Sequence, residues 1–138
     1  MRHLVRPEGM PPVNGYSHAV VATSGPLVAI SGQVPVDADG QLVGGDGDTT
    51  AQLRQVFRNL GTALAAAGAQ WRHVIKLTYY VVDLDDLATV RAVRDEFVDV
   101  AKPPASSLVQ VSGLVHPAFR VEIDALAVID DSSCSRTS

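Results

Sequence analysis

Cysteine, aromatic residues and positive charge are all scarce in this 138-residue chain. Its single cysteine, Cys134, excludes an intramolecular disulfide. Arginine and lysine together number 11 against 15 acidic residues, and the net charge is −4. The chain therefore lacks the broad positive field that attracts nucleic-acid phosphates, and we expect no nucleic-acid partner.

Long apolar runs and metal-ligand spacings are missing too. No run of eighteen apolar residues is present, so no segment is predicted to span a membrane. Residues 1–10 lack the apolar region of a signal peptide, which makes a cytoplasmic protein the simplest expectation. His3, His18, His73 and His116 are far apart, so no metal or cofactor is expected, although a site assembled from distant positions stays open.

The composition is that of one folded domain. Apolar residues make up 46% of the chain and charged residues 19%, which is enough apolar material for a core. We assign residues 1–130 to a single domain. Residues 131–138 are polar and are predicted to form a disordered tail.

Apolar periodicity predicts an α+β fold. Helices are predicted over 50–67 and 87–100, and strands over 3–5, 18–22, 27–34, 74–82, 106–111 and 120–129. Two hairpins are expected, one joining the strands at 18–22 and 27–34 and one joining the last two strands. A mixed sheet with both helices on one face satisfies this order.

Two further expectations concern helix starts and the second sheet face. Thr49 and Gln52 resemble a capping box for the first helix, and Asp85 or Asp86 is expected to cap the second. The strand at 27–34 carries apolar residues on both of its faces. One sheet face would therefore be apolar and uncovered in a monomer, which indicates a homo-oligomer.

Glu122 is the most informative charged residue. It lies in the strand segment VEIDALAV (121–128), which is otherwise mostly apolar. A carboxylate in such a setting should be paired, or its pKa should rise, and a raised carboxyl suits general acid–base work or the holding of a catalytic water. A solvent-facing carboxylate on an edge strand is the competing interpretation.

The tripeptide Ser31, Gly32 and Gln33 interrupts an apolar strand. A glycine inside a strand marks either a β-bulge or a place where a ligand approaches the backbone. The residues by themselves leave both interpretations open.

Several segments together resemble the Rid family, also called the RidA or YjgF family. They are NGYSHAV (14–20), ISGQVPVD (30–37), ALAAAGAQWRHVIKLTYYVVDLDDL (63–87) and PPASSLVQVSGLVHPAFRVEIDALAV (103–128). The resemblance implies a chorismate-mutase-like fold and a homotrimer with three small-molecule clefts at its subunit interfaces. It also implies cofactor-free hydrolysis of imines and enamines to a 2-oxo acid and ammonia.

The resemblance assigns roles to particular residues. Glu122 matches the glutamate that positions the water, and Tyr16 matches a tyrosine that lines the cleft. The strand at 31–33 matches the one whose backbone contacts substrate, and Leu108 is counted among the cleft residues. Where the deaminase branch has the sequence PARS with a carboxylate-binding arginine, this chain has Ser106.

The loss of that arginine leaves the reaction open. Serine offers one neutral hydrogen bond in place of a bidentate, charge-assisted pair. Arg120 shares strand parity with Glu122 and is a hypothetical substitute, although a solvated arginine at the strand entry is the simpler interpretation.

Two functions therefore remain. The first is hydrolytic deamination of an imine, enamine or related amino compound other than a simple 2-imino acid. The second is a non-catalytic module that binds a metabolite in the same cleft. The older family names of translation inhibitor and endoribonuclease receive no support from the acidic charge.

Overall fold

The computed structural model describes residues 1–131. Within them lie two α-helices and six strands, which confirms the predicted α+β class. Two 3₁₀ turns, Trp71–His73 and Leu84–Asp86, precede the fourth strand and the second helix. The strands are β1 (Arg2–Leu4), β2 (Ala19–Val21), β3 (Leu27–Gln33), β4 (Val74–Val81), β5 (Ala105–Gln110) and β6 (Val121–Val128), and the helices are α1 (Thr49–Ala66) and α2 (Leu87–Arg94).

The main sheet has four strands in the order β3-β6-β4-β5. Strand β6 runs antiparallel to both of its neighbours, whereas β5 runs parallel to β4. A parallel pair needs a long crossover, and α2 supplies it. Strands β1 and β2 form a separate two-stranded sheet.

Both predicted hairpins are wrong. β2 pairs with β1 rather than with β3, and β4 lies between β5 and β6. Local turn residues and alternation locate strands, but the choice of partner depends on which faces are buried together, and that is a tertiary property.

The core lies between the helices and one face of the sheet. Alternate residues of β6 are almost completely buried against the apolar stripe of α1. Side chains of α2 complete the same cluster, so both helices cover one face, as predicted. The β6 members are Val121, Ile123, Ala125 and Ala127, and the α1 members are Leu53, Val56, Phe57, Leu60 and Leu64.

Helix α1 begins one residue earlier than predicted. Asp48 is its N-cap, and the Asp48 carboxylate accepts a hydrogen bond from the backbone N–H of Ala51 at 3.1 Å. The expected capping box of Thr49 and Gln52 is therefore wrong. Aspartate fills the N-cap role as well as threonine does, since either side chain accepts from an N–H of the first turn.

The side chain of Gln52 has a different use. It is fully buried, donates to the carbonyl oxygens of Gly44 and Ala118 at 2.9 Å each, and accepts from the backbone N–H of Arg120 at 2.8 Å. These hydrogen bonds satisfy the polar atoms of a buried amide. They also hold the loop before α1 against the entry to β6.

Helix α2 ends six residues earlier than predicted. The backbone N–H groups of Glu96 and Phe97 bond three residues back, to Val93 and Arg94, which tightens the last turn and closes the α-helix. Phe97 still packs against the core from this turn, which explains its apolar spacing. Asp86 precedes the helix as predicted, but its side chain makes no cap hydrogen bond.

The second sheet face is uncovered in the single chain. Cross-strand pairs Leu27–Val128 and Ala29–Leu126 lie on it. Leu27 is 67% exposed and Leu126 39% exposed, which agrees with the predicted apolar character of both faces.

The predicted tail lies outside the described residues except for Asp131. That carboxylate accepts from Arg72 at 2.7 Å and lies 2.9 Å from Nε2 of His73. These two partners hold the pKa of Asp131 below its ordinary value. In residues 1–131 no helix combines the length and the apolar character needed to cross a bilayer.

Candidate functional site

The predicted site residues fall into two groups on opposite faces of the sheet. Glu122 lies opposite Tyr80 on the uncovered face, beside the strand segment 31–33. Ser106 and Leu108 lie opposite Leu77 and Tyr79, whose side chains are buried beneath the helices. Within one chain, the sheet separates Glu122 and segment 31–33 from Ser106 and Leu108.

Glu122 lies directly over Gly32. The register between β3 and β6 shifts between Ile30 and Gln33, so the tripeptide is a β-bulge. A Cβ atom added to Gly32 would lie 2.8 Å from Cδ of Glu122 and nearer still to Oε2. The interpretation as a β-bulge is therefore confirmed, whereas the approach of a ligand to this backbone stays a prediction.

The neighbouring carboxylate is engaged, whereas that of Glu122 is not. The hydroxyl of Tyr80 donates to Asp124 at 2.9 Å, and this bond, followed by burial and by the charges of Asp124 and Glu122, raises the pKa of Tyr80. Among residues 1–131 no hydrogen bond or ion pair holds the Glu122 carboxylate, which is half-buried. An acid held by packing and left without a polar partner is available to a water or a ligand.

The second group lines a cavity of ≈ 150 Å³ between α2 and β5. The structure brings Tyr16, Ser106 and Leu108 together here. Six further residues share the lining, and two of them are arginines. They are Asn14, Tyr79, Leu87, Val90, Arg91 and Arg94.

Tyr16 reaches the cavity because its segment is tied down on both sides. Arg94 donates to the backbone oxygen of Asn14 at 2.9 Å and to its Oδ1 at 3.1 Å. Gly15 has φ +71°, and a Cβ there would collide with the Arg94 guanidinium, so glycine permits both the turn and the close approach. The hydroxyl of Ser17 then donates a hydrogen bond to the carbonyl oxygen of Pro103 at 2.6 Å, just before β5.

The family of the chain follows from its match to known proteins. The family model described as Endoribonuclease L-PSP matches residues 7–129. The chain belongs to this family. The resemblance to RidA and YjgF proteins stated from the sequence is thereby confirmed.

Relatives of the Endoribonuclease L-PSP family agree in sequence and in fold. A RutC family protein of Synechocystis sp. is 36% identical over 118 residues, covering 86% of this chain and 88% of the relative. The 2-iminobutanoate/2-iminopropanoate deaminase of Salmonella typhimurium is 39% identical over 106 residues, covering 75% and 80%. The crystal structure of a Rid family protein of unknown function from Yersinia pestis superposes with TM-score 0.81 at 37% identity, covering 91% and 97%.

Arg120 joins neither group of this family member's predicted site. Its guanidinium donates to Asp86 at 2.9 and 3.1 Å and to the hydroxyl of Thr49 at 2.8 Å. Asp83 lies 3.7 Å away. These partners tie the start of β6 to the starts of both helices. They engage the guanidinium away from both groups, and the substitution of Arg120 for an arginine at position 106 stays a prediction.

Sequence reasoning missed the two arginines of α2. Arg91 and Arg94 follow Leu87 by four and seven positions, so they continue the helix face that Leu87 and Val90 begin. An arginine on an apolar stripe was the signal that could have revealed them. Within residues 1–131 no three His, Cys, Asp or Glu side chains converge so as to hold a metal ion.

Proposed function

We propose that this Endoribonuclease L-PSP family member is a homotrimer that hydrolyses a C=N bond in clefts between its subunits. The observation that carries the proposal is the Glu122 carboxylate, which is half-buried, lies against the backbone at Gly32 and has no polar partner among residues 1–131. The Salmonella relative, named as an imine deaminase, supports the same chemistry.

The proposed reaction needs one water and one acid–base group. Glu122 accepts a proton from the water as its oxygen bonds to the imine carbon and the C=N π electrons move to nitrogen. The protonated carboxyl then returns that proton to the nitrogen, which gives a neutral amino alcohol. Glu122 next transfers the hydroxyl proton to the nitrogen, the C=O bond forms, and the C–N bond breaks to release ammonia. An imine and water thus become a carbonyl compound and ammonia.

The cleft is proposed to require two copies of the chain. β4 separates β6 from β5, and Glu122 and Ser106 project from opposite faces. The uncovered face carries exposed Leu27 and Leu126, a surface that favours burial against another copy. Packing the uncovered face of one subunit beside the α2–β5 cavity of the next would unite the two groups in one cleft.

A metabolite-binding module without catalysis is the second candidate. It is favoured by the buried hydroxyl of Tyr79, which has no hydrogen-bond partner within residues 1–131. A bound ligand would satisfy that donor whether or not a reaction followed. The endoribonuclease activity in the family description is not proposed, because a net charge of −4 gives RNA no general electrostatic attraction to the chain.

The test is hydrolysis of imines and enamines generated in situ, followed by release of the carbonyl product. We expect Glu122→Gln to lower kcat by about 10²- to 10⁴-fold, the usual contribution of a general acid–base group. Asp124→Asn is the matched control, since this neighbouring carboxylate lies on the same strand and face but is engaged by Tyr80. We expect it to change kcat less than Glu122→Gln does.

Light scattering with size separation measures the assembly in the same samples. A trimeric wild type that leaves every compound in the panel hydrolysing at its spontaneous rate would refute the enzymatic proposal. A monomer would refute the shared cleft.

A further inference from the structure

A second cavity, of ≈ 160 Å³, lies between β1, the 3₁₀ turn Trp71–His73 and residues 97–104, which follow α2. We name it the Trp71 cavity, since it contains the single tryptophan of the chain. It shares no lining residue with the α2–β5 cavity. The proposed function therefore leaves it unused.

One side of the Trp71 cavity is an aromatic wall. The rings of Trp71 and Phe97 lie 6.2 Å apart at an interplanar angle of 51°, and both pack against the core. Val98 and Pro104 are buried and extend this apolar surface. An apolar protein cavity of about 150 Å³ accommodates one benzene molecule. The size and the lining therefore suit a single aromatic ring.

The other side of the cavity is positively charged. His3, Arg72 and Lys102 line it, against one carboxylate, Asp99. The charge of Arg72 is offset by Asp131 at 2.7 Å. Within residues 1–131 no hydrogen bond or ion pair engages the ammonium group of Lys102. Lys102 is thus the cation left to meet an anionic group at this cavity.

The half-buried ring of His3 stands among these positive charges. In the part of the chain that the structure describes, no hydrogen bond or ion pair holds either of its ring nitrogens. Burial, followed by the charges of Lys102 and the N-terminal ammonium, lowers the pKa of His3, and Asp99 opposes them. The N-terminal ammonium is paired with Asp130 at 3.3 Å. An anion placed beside His3 would reverse this balance, because it favours the charged ring.

We infer that the Trp71 cavity binds a single-ring aromatic carboxylate, and that His3 takes up one proton from solvent as the ligand binds. The ring lies against Trp71 and Phe97, and the carboxylate meets the ammonium group of Lys102. One uncompensated ammonium matches one negative charge, and protonated His3 adds a second charge-assisted hydrogen bond. The inference goes beyond the proposed function and does not depend on it.

The competing explanation is a water-filled surface cavity ringed by ordinary solvated side chains. Lysine is exposed in most folded proteins, and a half-buried histidine is common. In that case an anion would gain nothing from Lys102, and the cavity would not prefer a ring. The indole N–H of Trp71 separates the two explanations, because its magnetic resonance signal reports on this cavity and not on the α2–β5 cavity.

The test is titration of the full-length protein with benzoate, followed through the indole N–H signal of Trp71. Benzamide is the neutral counterpart of the same shape, and acetate is the counterpart without a ring. We expect benzoate to move the signal and to bind at least about 10-fold more tightly than either. Lys102→Gln should weaken benzoate binding about 10- to 100-fold and leave benzamide unchanged. Arg58→Gln, which neutralises an exposed arginine on α1, is the control and should change neither.

The pH dependence of binding is a second signature. Because protonated His3 holds the carboxylate better, the affinity for benzoate should rise about 10-fold as the pH falls through the pKa of His3 in the complex. The rise should level off below the lowered pKa of His3 in the free protein. His3→Gln should abolish it and keep the weaker affinity of high pH. His116→Gln, which removes an exposed histidine outside the cavity, should retain it.

Several results would overturn the inference. They are a Trp71 signal that benzoate does not move, equal affinities for benzoate and benzamide in the wild type, and wild-type affinity in a folded Lys102→Gln variant. Tighter binding of inorganic phosphate than of benzoate, or a pH-dependent rise that survives in His3→Gln, overturns it too. The wild-type comparison needs no variant, so a variant that fails to fold does not prevent a decision. None of these results depends on imine hydrolysis, because Glu122 does not line the Trp71 cavity.

Discussion

Gly32→Ala should lower the rate of the proposed Glu122-dependent hydrolysis without unfolding the protein. The new Cβ would lie 2.8 Å from Cδ of Glu122, which must retreat to the 3.4 Å or more of ordinary contact, and Oε2 must move further. The Glu122 side chain can move away by departing from its staggered rotamer, which costs about 0.5–1.5 kcal/mol of conformational energy. Displacement of a reacting group by ~1 Å costs about 100-fold in rate.

The assay is the imine hydrolysis described above, run beside thermal unfolding. We expect kcat to fall about 100-fold while the melting temperature changes by a few degrees. Gly113→Ala is the control, because an added Cβ there meets no atom within 4 Å, and it should keep wild-type activity. Both variants stiffen the unfolded chain in the same way, so that contribution cancels in the comparison.

One result would refute this reasoning. If Gly32→Ala hydrolyses imines at the wild-type rate while Glu122→Gln is inactive, the position of the carboxylate over residue 32 does not matter. Equal losses in Gly32→Ala and Gly113→Ala would instead point to a general effect of the substitution.

Three further predictions concern stability. Gly15→Ala should lower the unfolding free energy more than Gly9→Ala does, since both glycines have positive φ but only Gly15 lies against a guanidinium; equal losses in denaturant titrations would contradict this. Arg120→Ala should cost about 1–3 kcal/mol in the same titrations, because it leaves a mostly buried carboxylate unpaired, and an unchanged midpoint would argue against the ion pair. The hydrogen bond from Arg54 lowers the pKa of Glu96 from its ordinary 4.5, so the stability advantage of wild type over Glu96→Gln should be present above that pH and vanish as pH falls through the lowered pKa; a difference in melting temperature that persists in acid would contradict it.

The helices and strands could be located from the sequence because their signals are local. The apolar residues from Leu53 to Leu64 recur at helical spacing, and β4 is rich in residues that favour strands. Each segment therefore indicates its type of secondary structure within a few residues. The ends of the helices were predicted less accurately where tertiary contacts compete with local ones. Asp85 or Asp86 was expected to cap α2. Asp86 precedes the helix, but Arg120 takes up its carboxylate, and no local pattern contains that partner.

Strand partners could not be predicted in the same way. β5 and β6 follow one another along the chain with a turn between them, which suggested a hairpin. In the structure β4 lies between them, because α2 carries the chain across to a parallel position beside β4. The pairing depends on burial of a common face, which is a property of all four strands together.

Some residues of the candidate site could likewise be selected from local sequence, and others could not. Glu122, Gly32 and Ser106 could be selected from the sequence, since an acid, a glycine and a missing arginine stand out within known segments. Arg91 and Tyr79 were missed. Only its place on an apolar helix stripe marked Arg91, and a tyrosine in a strand acquires meaning only where α2 and β4 enclose one cavity.

The sequence by itself determined the fold class and the family and singled out Glu122 as the candidate acid, because each inference depends on residue types at short spacing. Only the tertiary structure decided that Glu122 and Ser106 lie on opposite faces of one sheet, that Asp86 engages Arg120, and that Arg91 lines the cavity between α2 and β5. The physical reason is that strand order and side-chain engagement are set by packing between segments far apart in the chain, which no local pattern records.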